Sequence, residues 1–143
     1  MTDVIDTRKE KLIYTARTHT TGGREGESRS DDGRLQVKLD RPGTPGKGTN
    51  PEQLFAAGWS ACFEGAMGVA ARKRRIALPP ETSLDAEVDL YSGDGVYTLA
   101  ARLTIHIPGM ERETAQAIVD DAHEICPYSR ATRGNIDVEI RLI

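Results

Sequence analysis

The chain has 143 residues, a length typical of one domain, and we predict a single domain over residues 1–143. The net charge is −3, which argues against the concentrated basic face that nucleic-acid binding needs. Residues 1–12 lack the apolar core of a signal peptide, and no apolar run looks long enough to span a membrane. We therefore expect a cytoplasmic protein with neither nucleic acid nor membrane as a partner.

Strands joined by loops are predicted for the first third of the chain. Residues 11–19 have the composition of a strand, and residues 20–34 are rich in Gly, Ser and charge, which is typical of a turn or an exposed hairpin. Apolar and polar residues then alternate over residues 35–40, the pattern of a half-buried strand. Residues 41–49 are predicted to form a Pro/Gly loop.

The first helix has a clear start. Asn50 suits the N-cap, Pro51 suits the first helical position, and Gln53 stands where a capping box requires it, so we predict a helix from Pro51 to about Arg75. One predicted stripe of this helix holds Phe55, Gly58, Cys62, Gly65, Ala66 and Val69. Its small residues indicate close crossing by another element, or by the same helix of a second copy.

An antiparallel hairpin is predicted next. Apolar residues alternate with polar ones over residues 84–90 and again over residues 97–107, and the Ser-Gly-Asp-Gly turn at 92–95 lies between them. A second helix is predicted over residues 111–125.

Pro127 disfavours helical geometry at Cys126, so the second helix should end there. The alternating residues 136–142 predict a last strand. Hairpins mixed with helices indicate an α+β fold with antiparallel sheets around a long central helix. Such a thin fold would gain stability by dimerising.

Two cysteines, Cys62 and Cys126, occupy different contexts. In a reducing compartment such residues are more often catalytic, redox-active or inert than part of a structural disulfide. A small core residue is the commoner role for a mid-helix cysteine such as Cys62. A reactive one must be ionised, yet a free thiol is only a few per cent ionised at pH 7.

A nearby cation would be needed to ionise Cys62, because the predicted helix start is about three turns away and the helix dipole acts only over the first turn. One guanidinium in a partly desolvated site is sufficient. The candidates outside the strands are Arg24, Arg41, Arg130 and Arg133. Spacing alone does not choose among them, and each is more often a solvated surface charge.

A metal site could in principle use His123 and Cys126, which share a helical face, together with Cys62. The chain has only three histidines and no CxxC pair, so the sequence disfavours this reading.

Four separate blocks, in order, resemble the organic hydroperoxide resistance (Ohr) proteins of the OsmC-like superfamily, and the resemblance covers the chain from Tyr14 onward. The blocks are TGGREG (21–26), GTNPEQLFAAGWSACF (48–63), GMER (109–112) and HEICPYSRATRGNIDV (123–138). The resemblance implies an OsmC-like α+β fold, an intertwined homodimer with active sites at the subunit interface, and a thiol peroxidase activity.

The resemblance also implies a role for each matching residue. Cys62 would be the peroxidatic cysteine and Cys126 the resolving one; Arg24 would activate the thiolate, and Glu52 would hold that arginine. Members of the family reduce organic and fatty-acid hydroperoxides without a metal or organic cofactor, and they take electrons from lipoylated proteins or small dithiols such as dihydrolipoamide. An apolar substrate pocket is predicted to be lined by Phe55, Trp59 and Phe63.

Helix geometry adds an expectation about subunits. Glu52 and Cys62 lie about 15 Å apart along a continuous helix, so Arg24 cannot easily contact both within one chain. We therefore predict a composite site, with Glu52 and Cys62 supplied by different subunits. Two residues depart from the family pattern: Trp59 replaces a tyrosine, and Arg130 stands where asparagine is common.

A redox-sensing or ligand-binding module without fast turnover is the alternative function. Peroxide consumption in excess of protein would separate the catalyst from the sensor.

Overall fold

The computed structural model describes residues 9–143. Most of residues 1–12, the segment predicted not to be a signal peptide, lies outside the described residues. The chain forms two compact units, one ending at Thr49 and the other spanning Asn50–Ile143. Each unit contains its own three-stranded sheet. The single-domain assignment stays a prediction.

In the N-terminal unit, three short strands form an antiparallel sheet. They are β1 (Thr18–Thr21), β2 (Glu27–Ser30) and β3 (Gln36–Lys38), in the order β1-β2-β3. A short 3-10 helix, Gly23–Glu25, connects β1 to β2. The predicted hairpin over residues 20–34 and the loop over residues 41–49 are therefore confirmed.

The predicted strand at residues 11–19 is wrong for most of its length. Only its last two residues belong to β1, and within the described range no strand pairs with residues 11–17. A strand-like composition does not form a strand without a neighbour to accept its backbone hydrogen bonds. Leu12, Ile13 and Tyr14 are exposed as a result.

The long helix of the C-terminal unit, α1 (Pro51–Lys73), begins as predicted. The Asn50 side chain accepts a hydrogen bond from the Gln53 backbone N–H at 2.9 Å, which satisfies one of the unpaired donors of the first turn. At the other end, Arg74 forms a 2.9 Å ion pair with Asp121. The basic residues that follow α1 thus also connect it to a neighbouring element.

The buried face of α1 differs from the predicted stripe. Its buried residues are Trp59, Phe63, Ala66, Met67, Ala70 and Ala71. Large side chains decide which face turns inward, because they remove the most apolar surface from water. Gly65 is consequently exposed, and Cys62 lies at the edge of the buried face and is half-buried.

By length and composition alone, α1 is apolar enough to cross a membrane. The expectation that no run reaches this length was therefore wrong. In this fold α1 packs against other elements of the C-terminal unit, and a core helix passes the same compositional test. Its apolar content contributes to the core.

A second sheet, in the order β4-β5-β6, is built from β4 (Ser83–Gly93), β5 (Val96–His106) and β6 (Asp137–Leu142). The predicted hairpin is confirmed: β4 and β5 pair antiparallel around Asp94 and Gly95, which both have positive φ. β6 pairs parallel to β5, so this sheet is mixed.

Two helices connect β5 to β6 and allow the parallel pairing. α2 (Arg112–Ile125) was predicted, whereas α3 (Pro127–Thr132) was not. The α+β class with a long helix is confirmed. The core includes Leu103 and Ile105 from the sheet, Ile118 from α2, and the large buried residues of α1.

Candidate functional site

The two cysteines meet where α1 passes the junction of α2 and α3. Cys62 lies in the middle of α1 and is half-buried. Cys126 caps the C-terminus of α2, and its side chain has no exposed surface. The two thiols are hydrogen-bonded to each other and are both free, with no disulfide between them. The helix end set by Pro127 therefore places the second sulfur beside the first.

Opposing interactions within the C-terminal unit act on the Cys62 thiol. Burial raises its pKa most, and the neighbouring Cys126 raises the pKa further, through charge repulsion and through its hydrogen bond. The backbone N–H of Tyr128 donates a hydrogen bond to the Cys62 sulfur, which lowers the pKa. The net shift is upward, so within this unit burial and Cys126 outweigh the Tyr128 N–H and favour the thiol over the thiolate.

Tyr128 was not identified from the sequence. It lies in the first turn of α3, and its ring contacts Phe55 edge-on, with 5.9 Å between ring centroids. Pro127 at the first helical position was a usable signal for α3, since proline is common there. In the sequence it was interpreted only as the end of α2.

Arg24 lies in the N-terminal unit, on the short 3-10 helix, and is half-buried. The tight turn around it depends on glycine. A Cβ at Gly26 would lie 1.8 Å from the Thr21 carbonyl oxygen, and Gly22 has a φ of +75°. The TGGREG block therefore encodes the backbone turn that presents Arg24. Nearby, Arg41 forms a 2.8 Å ion pair with Glu25.

Glu52 occupies the first turn of α1 and is half-buried. Because α1 is continuous from Pro51 to Lys73, about 15 Å of helix separates Glu52 from Cys62, as the composite-site prediction assumed. Glu52 and Cys62 of one chain are therefore too far apart along α1 to contact each other.

An apolar cavity of about 440 Å³ is lined by residues of α1, β5 and α3, including Pro127, which follows Cys126 in the chain. Phe55, Leu99, Tyr128 and Ile136 contribute to its wall. Of the three aromatic residues predicted to line a substrate pocket, Phe55 is the one that lines this cavity. Trp59 and Phe63 have no exposed surface and belong to the core, because their positions on α1 face the sheet and α2.

The remaining candidate cations lie at or after α3. Arg130 is exposed, and Arg133 donates a hydrogen bond to the His123 carbonyl oxygen and lies 3.7 Å from Glu124. Among the described residues, no three His, Cys, Asp or Glu side chains are grouped so that they could hold a metal ion.

His123 links protein stability to pH. Its pKa lies below the ordinary value of 6.5, first because of burial and then because of Arg133, although Glu124 and Asp120 oppose this. The unfolded chain therefore binds a proton more readily, and the free energy of unfolding falls as pH drops through 6.5 toward the folded-state pKa. We expect His123→Gln to reduce this loss in denaturant titrations between pH 7.5 and 5.5. His106→Gln, at an exposed position, is the matched control; equal curves for the two variants would contradict the assignment.

These features define a class of protein: an α+β domain whose long helix carries a half-buried cysteine in contact with a second, buried cysteine. The sequence profile of the OsmC-like protein family matches residues 44–141. The chain is 49% identical to an organic hydroperoxide resistance protein of Xanthomonas axonopodis pv. citri, over 93% of this chain and 96% of that protein.

Solved structures agree with the sequence matches. The chain resembles the crystal structure of the organic hydroperoxide resistance protein OhrB of Bacillus subtilis with a TM-score of 0.86 and 40% identity, covering 92% of this chain and 100% of that one. A structure of a putative organic hydroperoxide resistance protein from Vibrio cholerae, with captopril bound in one active site, gives a TM-score of 0.88, 38% identity and 96% coverage of both chains. The chain belongs to the OsmC-like superfamily and, within it, to the organic hydroperoxide resistance proteins.

Proposed function

We propose that the chain is a cytoplasmic thiol peroxidase that reduces organic hydroperoxides, including those of fatty acids, to alcohols. The observation that supports this most directly is the hydrogen-bonded pair of free thiols, with Cys62 partly accessible and Cys126 buried behind it. The relatives' shared name, organic hydroperoxide resistance protein, agrees with the same substrate class.

In the first step the Cys62 thiolate attacks the distal oxygen of the hydroperoxide. The O–O bond breaks, the alkoxide leaves and takes up a proton as the alcohol, and Cys62 becomes a sulfenic acid. Cys126 then attacks the sulfenic sulfur, a disulfide forms, and water leaves. Because the sulfurs are already in contact, this second step needs little rearrangement.

A dithiol returns the enzyme to its reduced form. One thiolate of the dithiol attacks the Cys62–Cys126 disulfide, and its second thiol closes the reductant's own disulfide and releases both cysteines. We propose a lipoylated protein or dihydrolipoamide in this role. The cycle uses no resident metal or organic cofactor.

Arg24 is the proposed activator of Cys62. The groups of the C-terminal unit leave the thiol pKa raised, so a cation from outside this set has to stabilise the anion. A guanidinium keeps its charge at all relevant pH values and can face both sulfur and peroxide oxygen. Glu52 is the proposed partner that orients Arg24.

A homodimer with sites at the subunit interface is the proposed assembly. Apolar side chains exposed within each unit support it: Leu12, Ile13, Tyr14, Leu90, Tyr91, Val96 and Tyr97. Large exposed apolar groups of this kind mark association surfaces in soluble proteins. The length of helix between Glu52 and Cys62 supports a site that takes these residues from different subunits.

Subunit mixing tests the composite site. Cys62→Ser and Glu52→Gln should each be nearly inactive alone, yet a mixed dimer of the two would contain one site with both native residues. In co-refolded or co-expressed mixtures we expect each heterodimer to reach up to about half of the activity of a wild-type dimer, because one of its two sites is intact. The activity is measured as dithiol-dependent peroxide consumption. A mixture no more active than its components would show that one chain supplies both residues.

Substrate preference tests the proposed activity itself. The apolar cavity is lined partly by Phe55 and by Tyr128, whose backbone N–H donates a hydrogen bond to Cys62, and it suits a bulky apolar substituent better than a hydroxyl. We expect kcat/KM for cumene hydroperoxide to exceed that for hydrogen peroxide by at least about tenfold, since burying a few methylene groups provides at least this factor. Equal or better use of hydrogen peroxide would contradict the specificity.

A stoichiometric redox sensor is the alternative. It would consume about one equivalent of peroxide per chain even with excess dihydrolipoamide, whereas the proposed enzyme consumes many.

A further inference from the structure

Tyr128 of α3 packs against α1 at Gly58, where α1 has no side chain. A Cβ built at Gly58 would lie 2.8 Å from the Tyr128 hydroxyl oxygen and 3.3 Å from the ring carbon that bears it. Glycine inside a helix lowers helix stability relative to alanine. The Tyr128 ring covers Gly58, which explains why a glycine stands at this position. Phe55 packs edge-on against the same ring, so Gly58 and Phe55 together form the seat of Tyr128 on α1.

The same tyrosine contacts the nucleophile through its main chain. Its backbone N–H donates a hydrogen bond to the Cys62 sulfur, one turn of α1 after Gly58. Within the C-terminal unit, this is the interaction that favours the thiolate, because burial and Cys126 both favour the thiol. The ring that packs over Gly58 and the N–H that donates a hydrogen bond to Cys62 therefore belong to the same residue.

We propose that Tyr128 is a positioning residue for Cys62: its ring, seated over Gly58 and against Phe55, holds its own backbone N–H on the Cys62 sulfur. The inference rests on the proposed role of Cys62 as nucleophile. It adds that the Tyr128 ring holds a hydrogen-bond donor, the Tyr128 N–H, against the Cys62 sulfur. A donor held in place stabilises a developing or full negative charge without reorganisation.

The decisive measurement is the pKa of Cys62 in the Cys126→Ser background. The chain has two cysteines, so this variant keeps a single thiol, and thiolate absorbance followed against pH reports Cys62 alone. We expect Gly58→Ala and Tyr128→Ala each to raise the pKa of Cys62 by about one, a tenfold loss of thiolate at pH 7, as the loss of a hydrogen bond to a charged group predicts. Tyr128→Phe keeps the ring and the N–H and should leave the pKa unchanged.

Gly68→Ala is the matched control on the same helix, since a Cβ there meets only the flexible Arg72 guanidinium at 3.7 Å. Tyr128 is partly exposed, so Tyr128→Ala tests the idea even if Gly58→Ala fails to fold. Unchanged pKa values in Gly58→Ala and Tyr128→Ala, or an equal rise in Gly68→Ala, would overturn the proposal. Peroxide turnover by the wild type is a separate assay: its absence would remove the proposed function, while the thiol titrations would still decide the role of Tyr128.

Discussion

Cys62→Ser is expected to lower kcat/KM for cumene hydroperoxide by at least about a thousandfold, to the rate without enzyme. A serine hydroxyl is not ionised near pH 7 and cannot form a disulfide, so both the attack and the resolving step are lost. The substitution keeps the size and position of the side chain at a half-buried site, so the fold should remain intact. Turnover with dihydrolipoamide would measure the loss of activity, and the far-ultraviolet circular dichroism spectrum of the same samples would show whether the fold is retained.

Cys126→Ser is the matched variant because it removes the other sulfur of the same pair. It should retain the first attack, in which about one equivalent of peroxide gives the sulfenic acid. When peroxide is in excess, a second equivalent should oxidise Cys62 further to the sulfinic acid. Intact-protein mass spectrometry distinguishes the added oxygens. Retention of more than about a tenth of turnover in Cys62→Ser, or a complete lack of reaction in Cys126→Ser, would contradict the assigned order of attack.

Arg24→Gln is expected to raise the pKa of Cys62 and to slow its reaction with organic hydroperoxide about a hundredfold. One contacting charge in a partly desolvated site contributes about 4 kcal/mol, or roughly three in pKa, and some of this is regained by solvent. The measurement is the second-order rate of sulfenic acid formation as a function of pH. The loss should be smaller above the raised pKa, where the thiolate no longer depends on the arginine.

Arg41→Gln removes the same charge from the same unit and is the control. Arg41 forms an ion pair with Glu25 in which both side chains are exposed, so its loss should change the rate by less than about twofold. Arg130→Gln and Arg133→Gln test the other two guanidinium groups that spacing left open. If either of these, or Arg41→Gln, slowed the reaction more than Arg24→Gln, the activating role would move to that residue.

Local sequence was sufficient to predict most of the elements. The cap at Asn50, the two-residue turn at Asp94 and Gly95, and the proline after Cys126 each act within a few residues of the chain. Such signals depend on backbone geometry that the neighbouring residues determine themselves. The four family blocks added the proposed roles of Cys62, Cys126, Arg24 and Glu52, which periodicity does not contain.

Contacts between distant residues were decided by the tertiary structure. The inward face of α1 follows Trp59 and Phe63, which pack against partners far along the chain, and so neither lines the apolar cavity that Phe55 borders. The missing strand at residues 11–17 and the parallel pairing of β6 likewise depend on which backbone is available as a neighbour. The contact between the two thiols and the seat of Tyr128 over Gly58 have the same origin. Hydrogen bonds and close packing act through space, whereas a pattern in one sequence reports only what lies within a few turns of the chain.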